Sequence, residues 1–543
     1  SESKKKANIL NGQFSSVFNT SEDIKTIPNK GKSPHPTMNK IHVTENGVQK
    51  LLSNLNIHKA AGPDEIPTRL LKELAPYLAE TFTTFFQASI NQGTIPPEWK
   101  EAFVVPIFKK GDKSRASNYR PVSLTVVTCK ILEHIICSSI AKHLDIHGIL
   151  NDAQHGFRKN RSCESQLILT IQDLAKNIDL GEQIDLILLD FSKAFDKVPH
   201  ERLLYKAEYY GISGPTLQWI RDFLSSRNQR VVVDGKTSHT APVQSGVPQG
   251  KVLGPLMFLL FINDLPDYVQ SSTVRLFADD CVLYRRIQND ADSKLLQEDM
   301  NNLLRWESDW QMEFHPSKCQ LLRVTNKRKP HLTSYNIHGH NLELVDSAKY
   351  LGVTIHKTIN WNTHIESIAK KANSTRAFIQ RNLQHCPQQT KAVCYTTLVR
   401  PLLEYACSVW DPFTNLNIQK LESVQRRSAR FVLNNYQQTS SVTSMLKTLQ
   451  WQPLAERRAN CKAVMMYRIV NGLVAIPTLE LHTTSSVARG HTTRFLVPYA
   501  RTSTYRHSFF PDSIRIWNSL PQPLVDSTSL DAFKQGVLSC SIP

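Results

Sequence analysis

Hydrophobic and polar positions along the chain follow two periods in turn. From about residue 45 to 175, apolar positions spaced by three and four predict helices, and short apolar runs between them predict strands. Residues 67–92 predict a largely helical stretch and residues 103–108 a short strand. Residues 183–191 (QIDLILLDF) are apolar and bounded by Gly181 and Ser192, which suits a strand buried on both faces. Residues 273–286 predict strand, tight turn and strand, with Asp279-Asp280 at the turn. Helices are predicted at 256–265, 295–312 and through most of 361–436. Near the start, 7–18 predicts a short amphipathic helix, followed at 20–40 by a Pro-, Gly- and Lys-bearing linker. The last hundred residues are mixed and aromatic. Strands and helices without strict alternation predict an α+β fold, and 543 residues allow three or four folding units.

Composition narrows the class. At 41% hydrophobic and 21% charged residues, a disordered or fibrous chain is excluded. The net charge of +18 implies a polyanionic partner, nucleic acid ahead of an anionic membrane surface. The apolar run 252–262 is interrupted by Gly254 and Pro255 and is too short to span a bilayer. Ten scattered cysteines without a Cys-x-x-Cys pair read as reduced thiols of an intracellular protein rather than zinc ligands. The chain opens on Ser1 without a Met and reads as a fragment of something longer.

Two acidic sites stand out: Asp190 at the end of a buried strand, and Asp279-Asp280 at the bend of an apolar hairpin. An Asp-Asp pair at a turn is usually only a turn. Three carboxylates at the ends of apolar strands, however, must be solvated, paired or metal-bound. Oxygen donors without soft ligands suit Mg²⁺, and two such ions about 4 Å apart clamp the attacking and leaving oxygens of a phosphoryl transfer. Only a sheet could bring Asp190 to Asp279, 89 residues on. The glycine-rich stretch 245–255 is not a phosphate-binding Walker loop. Three residues separate Gly246 from Gly250, and Val252 stands where Ser or Thr would be. It reads either as a turn before a helix or as a loop whose bare backbone lets a ligand approach.

The order of carboxylate strand, glycine loop and Asp-Asp hairpin resembles the reverse transcriptases of non-LTR (LINE-type) retrotransposons, and more narrowly the jockey-like animal elements. Phe277-Ala278-Asp279-Asp280 resembles their Phe/Tyr-x-Asp-Asp box, 189–200 their first carboxylate motif, and 245–260 their glycine-loop motif. Lys59-Ala60-Ala61-Gly62-Pro63-Asp64 is similar to their N-terminal motif. Residues 106–112, 118–124 and 154–158 resemble their fingers motifs. Trp306, Trp310 and Pro316-Ser317-Lys318-Cys319 follow their pattern after the catalytic hairpin, and Tyr350-Leu351-Gly352-Val353 their primer-grip hairpin. The resemblance runs from about residue 7 to about 535.

What the resemblance implies is a right-hand polymerase, with fingers and palm over 51–346, primer grip and helical thumb over 347–440, an N-terminal extension and linker over 1–50, and a C-terminal nucleic-acid-binding domain over 441–543. Asp190, Asp279 and Asp280 would be catalytic. Asp190, Asp279 and the Phe191 carbonyl would hold two Mg²⁺ ions, for which Mn²⁺ could substitute. Lys109 or Lys110 and Arg158 would hold the triphosphate, and Gln249 and Gly250 would line nucleotide and template. The Phe195 ring would exclude a ribose 2′-hydroxyl. Lys318 is the candidate proton donor, Tyr350, Leu351 and Gly352 the primer grip, and Lys420, Arg426, Arg427 and Arg430 the duplex-facing cations of a region (366–436) with ten Lys or Arg against four acids. Arginines among aromatics in the last hundred residues suit stacked single strands or, equally, a small core.

Two positions depart from the family pattern: Lys251 replaces a small Ser, where it could touch template or disturb the fit, and His315 replaces an Asn. The expected reaction is target-primed reverse transcription, with the element's RNA 3′ end as template, a nicked target DNA as primer, and dNTPs. No membrane is expected as a partner. An endonuclease domain is expected in a longer parent chain, and the location is cytoplasmic as a ribonucleoprotein, then nuclear at integration. The alternatives are a catalytically decayed or domesticated relative that only binds RNA or DNA, and, less well matched, a group II intron maturase.

Overall fold

The computed structural model describes residues 2–19, 27–248, 250–484 and 491–540. In chain order its strands are β1 (Glu101–Phe108), β2 (Tyr119–Leu124), β3 (Gln183–Leu189), β4 (Arg227–Val233), β5 (Lys236–Thr237), β6 (Ala241–Val243), β7 (Thr273–Phe277), β8 (Asp280–Ile287) and β9 (Gln320–Val324). Five short strands follow: β10 (Asn336–Ile337), β11 (His340–Asn341), β12 (Glu343–Val345), β13 (Ser347–Tyr350) and β14 (Val353–His356). With many helices between them, this is the expected α+β class. The chain builds two compact units, each from three stretches. One comprises Ser1–Phe157, Asp190–Gln270 and Asp299–Pro316, the other Arg158–Leu189, Ser271–Glu298 and Ser317–Pro543.

In the first unit, β1 lies between antiparallel β2 and parallel β4, and β4 carries β5 and β6. The helix Glu2–Ser15 covers this sheet, burying Ala7, Leu10 and Phe14 against Val104 and Val231. It begins five residues earlier than the amphipathic pattern suggests. The expected linker at 20–40 is not loose where it is described: Lys30 Nζ reaches Asp264 at 2.8 Å and Met38 N–H bonds the Gly211 carbonyl. Residues 20–26 lie outside the described residues. The helix Leu253–Ile262 is apolar all round, so it has no solvent face, and it packs against His200–Tyr209 and Val127–Ile146. Just past it, the buried carboxylate of Asp264 accepts from Lys206 Nζ (2.5 Å), Lys30 Nζ and Trp306 Nε1 (2.9 Å). Burial alone would raise this carboxyl, but the two ammonium groups outweigh it and hold it below its ordinary range.

In the second unit the sheet order is β12-β9-β3-β8-β7. Central β3 is buried on both faces, as its apolar run predicts. One of its residues breaks the pattern: Asp185 is fully buried, and Arg323 of β9 stands opposite it in register. Arg323 Nε (3.1 Å), Tyr335 Oη (2.9 Å) and Gln183 Nε2 (2.9 Å) all donate to its carboxylate, so the charge is neutralised and its lone pairs used. The helix Cys163–Asp179 starts at a reciprocal cap between Ser162 and Ser165.

One continuous core in this unit joins Ile184 and Leu186 of β3, the β13–β14 hairpin, the helix Asn362–Asn382 and the last hundred residues. Phe495, Phe509, Phe510 and Trp517 are part of it, and Tyr505 is buried beside the helix Cys163–Asp179, its Oη accepting from Gln172 Nε2. The aromatics that suited stacked single strands are therefore core, and of the six only Tyr499 is exposed. The ten cysteines form no disulfide. Among the described residues no helix is long and apolar enough to cross a membrane.

Candidate active site

The hairpin of β7 and β8 pairs Phe277 with Asp280, which leaves Ala278 and Asp279 as a two-residue loop. Such loops require a left-handed residue to match the strand twist, usually Gly. Here Ala278 takes that conformation, with φ 53°, although it carries a Cβ. Strain of this kind persists only where the surroundings over-determine it, and the five-pair ladder below the loop supplies that constraint. Asp279 is half-buried at the tip and Asp280 is exposed. The same β8 pairs with β3, Leu189 standing opposite Cys281. Asp190 follows Leu189 in the chain, and Asp280 directly precedes Cys281. The sheet expected between the two acidic motifs is present.

Past β3 the chain is held by a second short ladder, in the first unit. His315 N–H donates to the Asp190 carbonyl and Ser192 N–H to the Glu313 carbonyl, each at 2.7 Å, around an antiparallel bridge between Phe191 and Phe314. The two phenyl rings stack with centroids 4.3 Å apart. In a bridge of this type the carbonyl of the central residue turns away from its partner strand. The Phe191 carbonyl is thus not used in this ladder. The His315 departure falls where the bond to Asp190 comes from the main chain, which any residue but Pro supplies.

The glycine loop is strapped to the segment after Asp190. Val247 N–H bonds the Phe195 carbonyl and Gly246 N–H the Val198 carbonyl, each at 2.8 Å, and Ser245 Oγ donates to the Asp196 carbonyl at 2.8 Å. Gly246 has φ 88°, and a Cβ there would stand 2.6 Å from the Asp196 carbonyl, so only glycine fits this approach. Phe195 is half-buried and stacks on Phe258 at 4.4 Å. Beside it lies a narrow cavity of about 50 Å³, lined by Phe195, Asp196, Arg227, Ser245, Gly246 and Lys251 among others. Gly250 passes close to β2, where a Cβ would meet Val122 at 3.3 Å. Gln249 lies outside the described residues.

Lys251 corrects an expectation. It neither reaches out to a template nor disturbs the loop: its side chain is fully buried, with Nζ 3.8 Å from the buried Glu133 carboxylate and 4.4 Å from the Phe223 ring centroid. Glu133 also accepts from the N–H groups of Val252 (3.1 Å) and Leu253 (3.3 Å), which open the following helix. Burial, then the nearby Arg227, pulls the Lys251 ammonium down to about 8. Sequence reasoning missed Glu133, whose only signal is an acid on the apolar face of a helix. It also missed Asp185, an acid inside a strand otherwise apolar.

The other expected residues are placed as follows. Lys109 and Lys110 are exposed in the loop after β1, with Lys109 N–H on the Asn118 carbonyl. Arg158 is half-buried in the second unit, and Lys318 is exposed on the turn Pro316–Lys318. Leu351 (φ 44°) and Gly352 (φ 87°) make the two-residue turn of the β13–β14 hairpin, and Tyr405 Oη donates to the Leu351 carbonyl at 2.9 Å. Tyr350 is buried, which raises its hydroxyl well above the ordinary range, and it accepts from Gln166 Nε2. On the helix Asn415–Val432, Arg426 and Arg427 are exposed and Lys420 is half-buried. Arg430 departs from the expectation. Its guanidinium donates to the carbonyls of Gln437 (2.8 Å) and Ser440 (3.4 Å), which fixes the chain after the helix.

The family described as reverse transcriptase (RNA-dependent DNA polymerase) matches residues 107–355, a span that holds β3, the glycine loop and the β7–β8 hairpin. The chain is thus similar to that family across this span. Its relatives narrow the kind. It is 27% identical over 403 residues to the RNA-directed DNA polymerase from mobile element jockey of Drosophila melanogaster, covering 72% of this chain and 43% of that protein. It is also 27% identical over 395 residues to the probable RNA-directed DNA polymerase from transposon X-element of the same fly, covering 71% and 43%. A putative 115 kDa protein in the type-1 retrotransposable element R1DM is 26% identical over 382 residues, covering 67% of this chain and 35% of that one. The relatives it resembles are thus RNA-directed DNA polymerases and proteins of retrotransposable elements. It spans about two fifths of the length of the first two relatives.

Proposed function

We propose that the chain extends a DNA 3′-hydroxyl on an RNA template by target-primed reverse transcription. The observation that most supports this is the pairing of Leu189 with Cys281. β3 ends and β8 begins at one edge of the sheet, with a carboxylate next in the chain on each side. In this reading Asp190, Asp279 and the Phe191 carbonyl hold two Mg²⁺ ions, with Asp280 beside them. The donors fit that metal: they are hard oxygens with no thiolate or imidazole among them, and the Phe191 carbonyl is not used in the ladder to 313–315. Among the described residues no three His, Cys, Asp or Glu side chains are gathered as a metal cage, so the reading rests on donor chemistry and strand register. When bound, such ions lower the charge barrier to attack by the primer hydroxyl and to departure of pyrophosphate.

The chain's own side chains then supply the rest. Lys109 or Lys110, with Arg158, offsets the triphosphate charge. Phe195, backed by Phe258, leaves no room under the sugar for a 2′-hydroxyl. Gly250 brings bare backbone against nucleotide and template, with Gln249 beside it. Lys318 gives a proton to the departing pyrophosphate. The hairpin turn at Leu351 and Gly352, continuing from Tyr350, supports the primer end, and Lys420, Arg426 and Arg427 meet the duplex backbone. The segments 1–50, 51–346, 347–440 and 441–543 serve as N-terminal extension, fingers and palm, grip and thumb, and C-terminal domain of a right-hand polymerase. The template is the element's RNA 3′ end and the primer a nicked target DNA, in the nucleus after transit as a cytoplasmic ribonucleoprotein. A longer parent chain carries the nicking endonuclease.

The test is extension of a DNA-primed RNA by the purified chain with Mg²⁺. The wild type is expected to extend it. Asp190→Ala and Asp279→Ala are each expected to abolish synthesis while still binding RNA, because affinity comes from Lys and Arg contacts to phosphate. Near-normal extension by either variant would overturn the assignment.

A further inference from the structure

A cavity of about 410 Å³ opens in the second unit between the helix Asn362–Asn382, the helix Gln388–Cys394 and the segment after Asn415–Val432. Its volume falls within the range of small-ligand sites. Lys391 lines it: the residue is 6% exposed, so its stem is covered, while its Nζ stands at the cavity wall, 5.1 Å from the Phe431 ring centroid and with no carboxylate in an ion pair with it among the described residues. A lysine that covers its stem and leaves its head at a cavity wall offers that charge to whatever occupies the cavity.

The surroundings are cationic and polar. Arg381, Gln384 and Asn434 line the cavity, and no acid does. The acids of the region are turned elsewhere. Glu404 is bound by Arg457, Asp411 by Arg458 and Lys462, and Glu422 accepts from Ala455 N–H, all on the helix Leu454–Val470. On the rim, Tyr436 is 54% exposed, and its ring is held by a relay: Arg376 Nη1 donates to Gln380 Oε1 at 2.7 Å, and Gln380 Nε2 donates to Tyr436 Oη at 3.3 Å. A fixed, exposed aromatic ring next to a cation at the cavity wall suits a base stacked beside its own phosphate.

We infer that this cavity binds one nucleotide unit of a single-stranded polynucleotide, its phosphodiester on Lys391 and Arg381 and its base on Tyr436. The inference takes from the proposed function only that the chain handles nucleic acid. It rests on Lys391, Arg381 and Tyr436 rather than on the exposed arginines of the neighbouring helix, and the shared ligand chemistry admits an RNA or a DNA strand.

The experiment is fluorescence-anisotropy titration of the full chain with a labelled ten-nucleotide RNA, and in a parallel arm the DNA of the same sequence, across 50–300 mM salt. Lys391→Gln is expected to weaken binding about tenfold and to flatten the slope of log affinity against log salt by about 0.7, the value for one single-strand phosphate. Lys391→Arg should restore both. Tyr436→Ala should weaken binding about five- to hundredfold, the range for one stacked base, with Tyr436→Phe close to wild type. Millimolar inorganic phosphate should not displace the oligonucleotide; if it does, the site takes a free anion and the inference falls.

Unchanged affinity and slope in Lys391→Gln overturn it outright. Should that variant fail to fold, photocrosslinking of a 5-iodouridine RNA to the wild type decides: a crosslink at Tyr436 supports the site, and none there removes it. A wild type that shows this Lys391-dependent binding but makes no DNA with Mg²⁺ leaves the cavity standing and removes the polymerase reading. The converse result removes only the cavity.

Discussion

Replacing Glu133 by Gln should unfold the first unit more readily than any surface change, because it strands two buried cations. Lys251 Nζ lies 3.8 Å from the Glu133 carboxylate, and both side chains are fully buried. At an effective dielectric near 20 that pair is worth about 4 kcal/mol. Arg227, 3% exposed, hydrogen-bonds among the described residues the carbonyls of Phe223 and Trp99, and the Glu133 charge favours its charged form against the cost of burial. Removing one member of a buried pair typically costs about 3–5 kcal/mol. For a unit of this size that lowers the unfolding midpoint by roughly 10 °C. Lys251→Met should cost far less. It removes an ammonium that burial already disfavours, keeps a stem against Phe223, and leaves Glu133 with the N–H groups of Val252 and Leu253.

The double variant should therefore recover most of the Glu133→Gln loss, a coupling of about 2–3 kcal/mol in a double-mutant cycle read by thermal and denaturant unfolding. A pH arm checks the same contact. Lys251 loses its proton near 8 in the folded chain and near 10.5 in the unfolded one. Between those values the unfolded chain binds the extra proton, so this group makes stability rise with pH, and Lys251→Met should remove that part of the slope. Costs of the two single variants that simply add, with no change of slope, would refute the reasoning.

Phe195→Ala should admit ribonucleotides in single-nucleotide insertion, since the ring stacked on Phe258 is what fills that space; unchanged dNTP-over-rNTP selectivity would make Phe195 only a packing residue. Reversing Arg426 and Arg427 to Glu should weaken template-primer binding at all sequences and flatten its salt dependence by about 0.9 per lost duplex phosphate contact; an unchanged slope would leave those arginines on a merely solvated face. His364 accepts from Thr354 N–H at 3.2 Å, and burial, then Lys349, holds its ring down at about 4 against 6.5 when free. The unfolded chain then takes up a proton between pH 6.5 and 4 that the folded chain refuses, so stability falls as pH drops through that window, by up to about 3 kcal/mol. His364→Asn, which keeps an acceptor and cannot titrate, should flatten that fall in denaturant midpoints, and an identical fall in the variant would show that other groups cause it.

What the sequence made legible was whatever local pattern dictates. The buried strand at 183–189, the hairpin with Asp279 at its tip, and the glycine loop all carry short-range signals: an unbroken apolar run, an alternation around a turn, a residue without Cβ. Gly246 illustrates why such signals are strong, since its backbone passes within contact of the Asp196 carbonyl and no side chain could be added there. The pairing of β3 with β8 was legible only as a requirement, because the chemistry of two distant carboxylates demanded it.

Illegible were the features that depend on what a side chain meets after folding. Lys251 reads as a charge next to a glycine loop until Glu133, more than a hundred residues earlier, is seen beneath it. Arg430 reads like Arg426 and Arg427 until the chain turns back after the helix and offers it two carbonyls. The aromatics after residue 490 read equally as a stacking surface or a core, because composition is the same for both and only burial distinguishes them. Lys391 is the converse case: in sequence it is one more lysine of a basic helical region, and its place on the wall of a cavity that no acid lines sets it apart. What a charge meets after folding is what sequence periodicity is least able to reveal, and in this chain it separates a lysine buried beside the Glu133 carboxylate from one on the wall of a cavity that no acid lines.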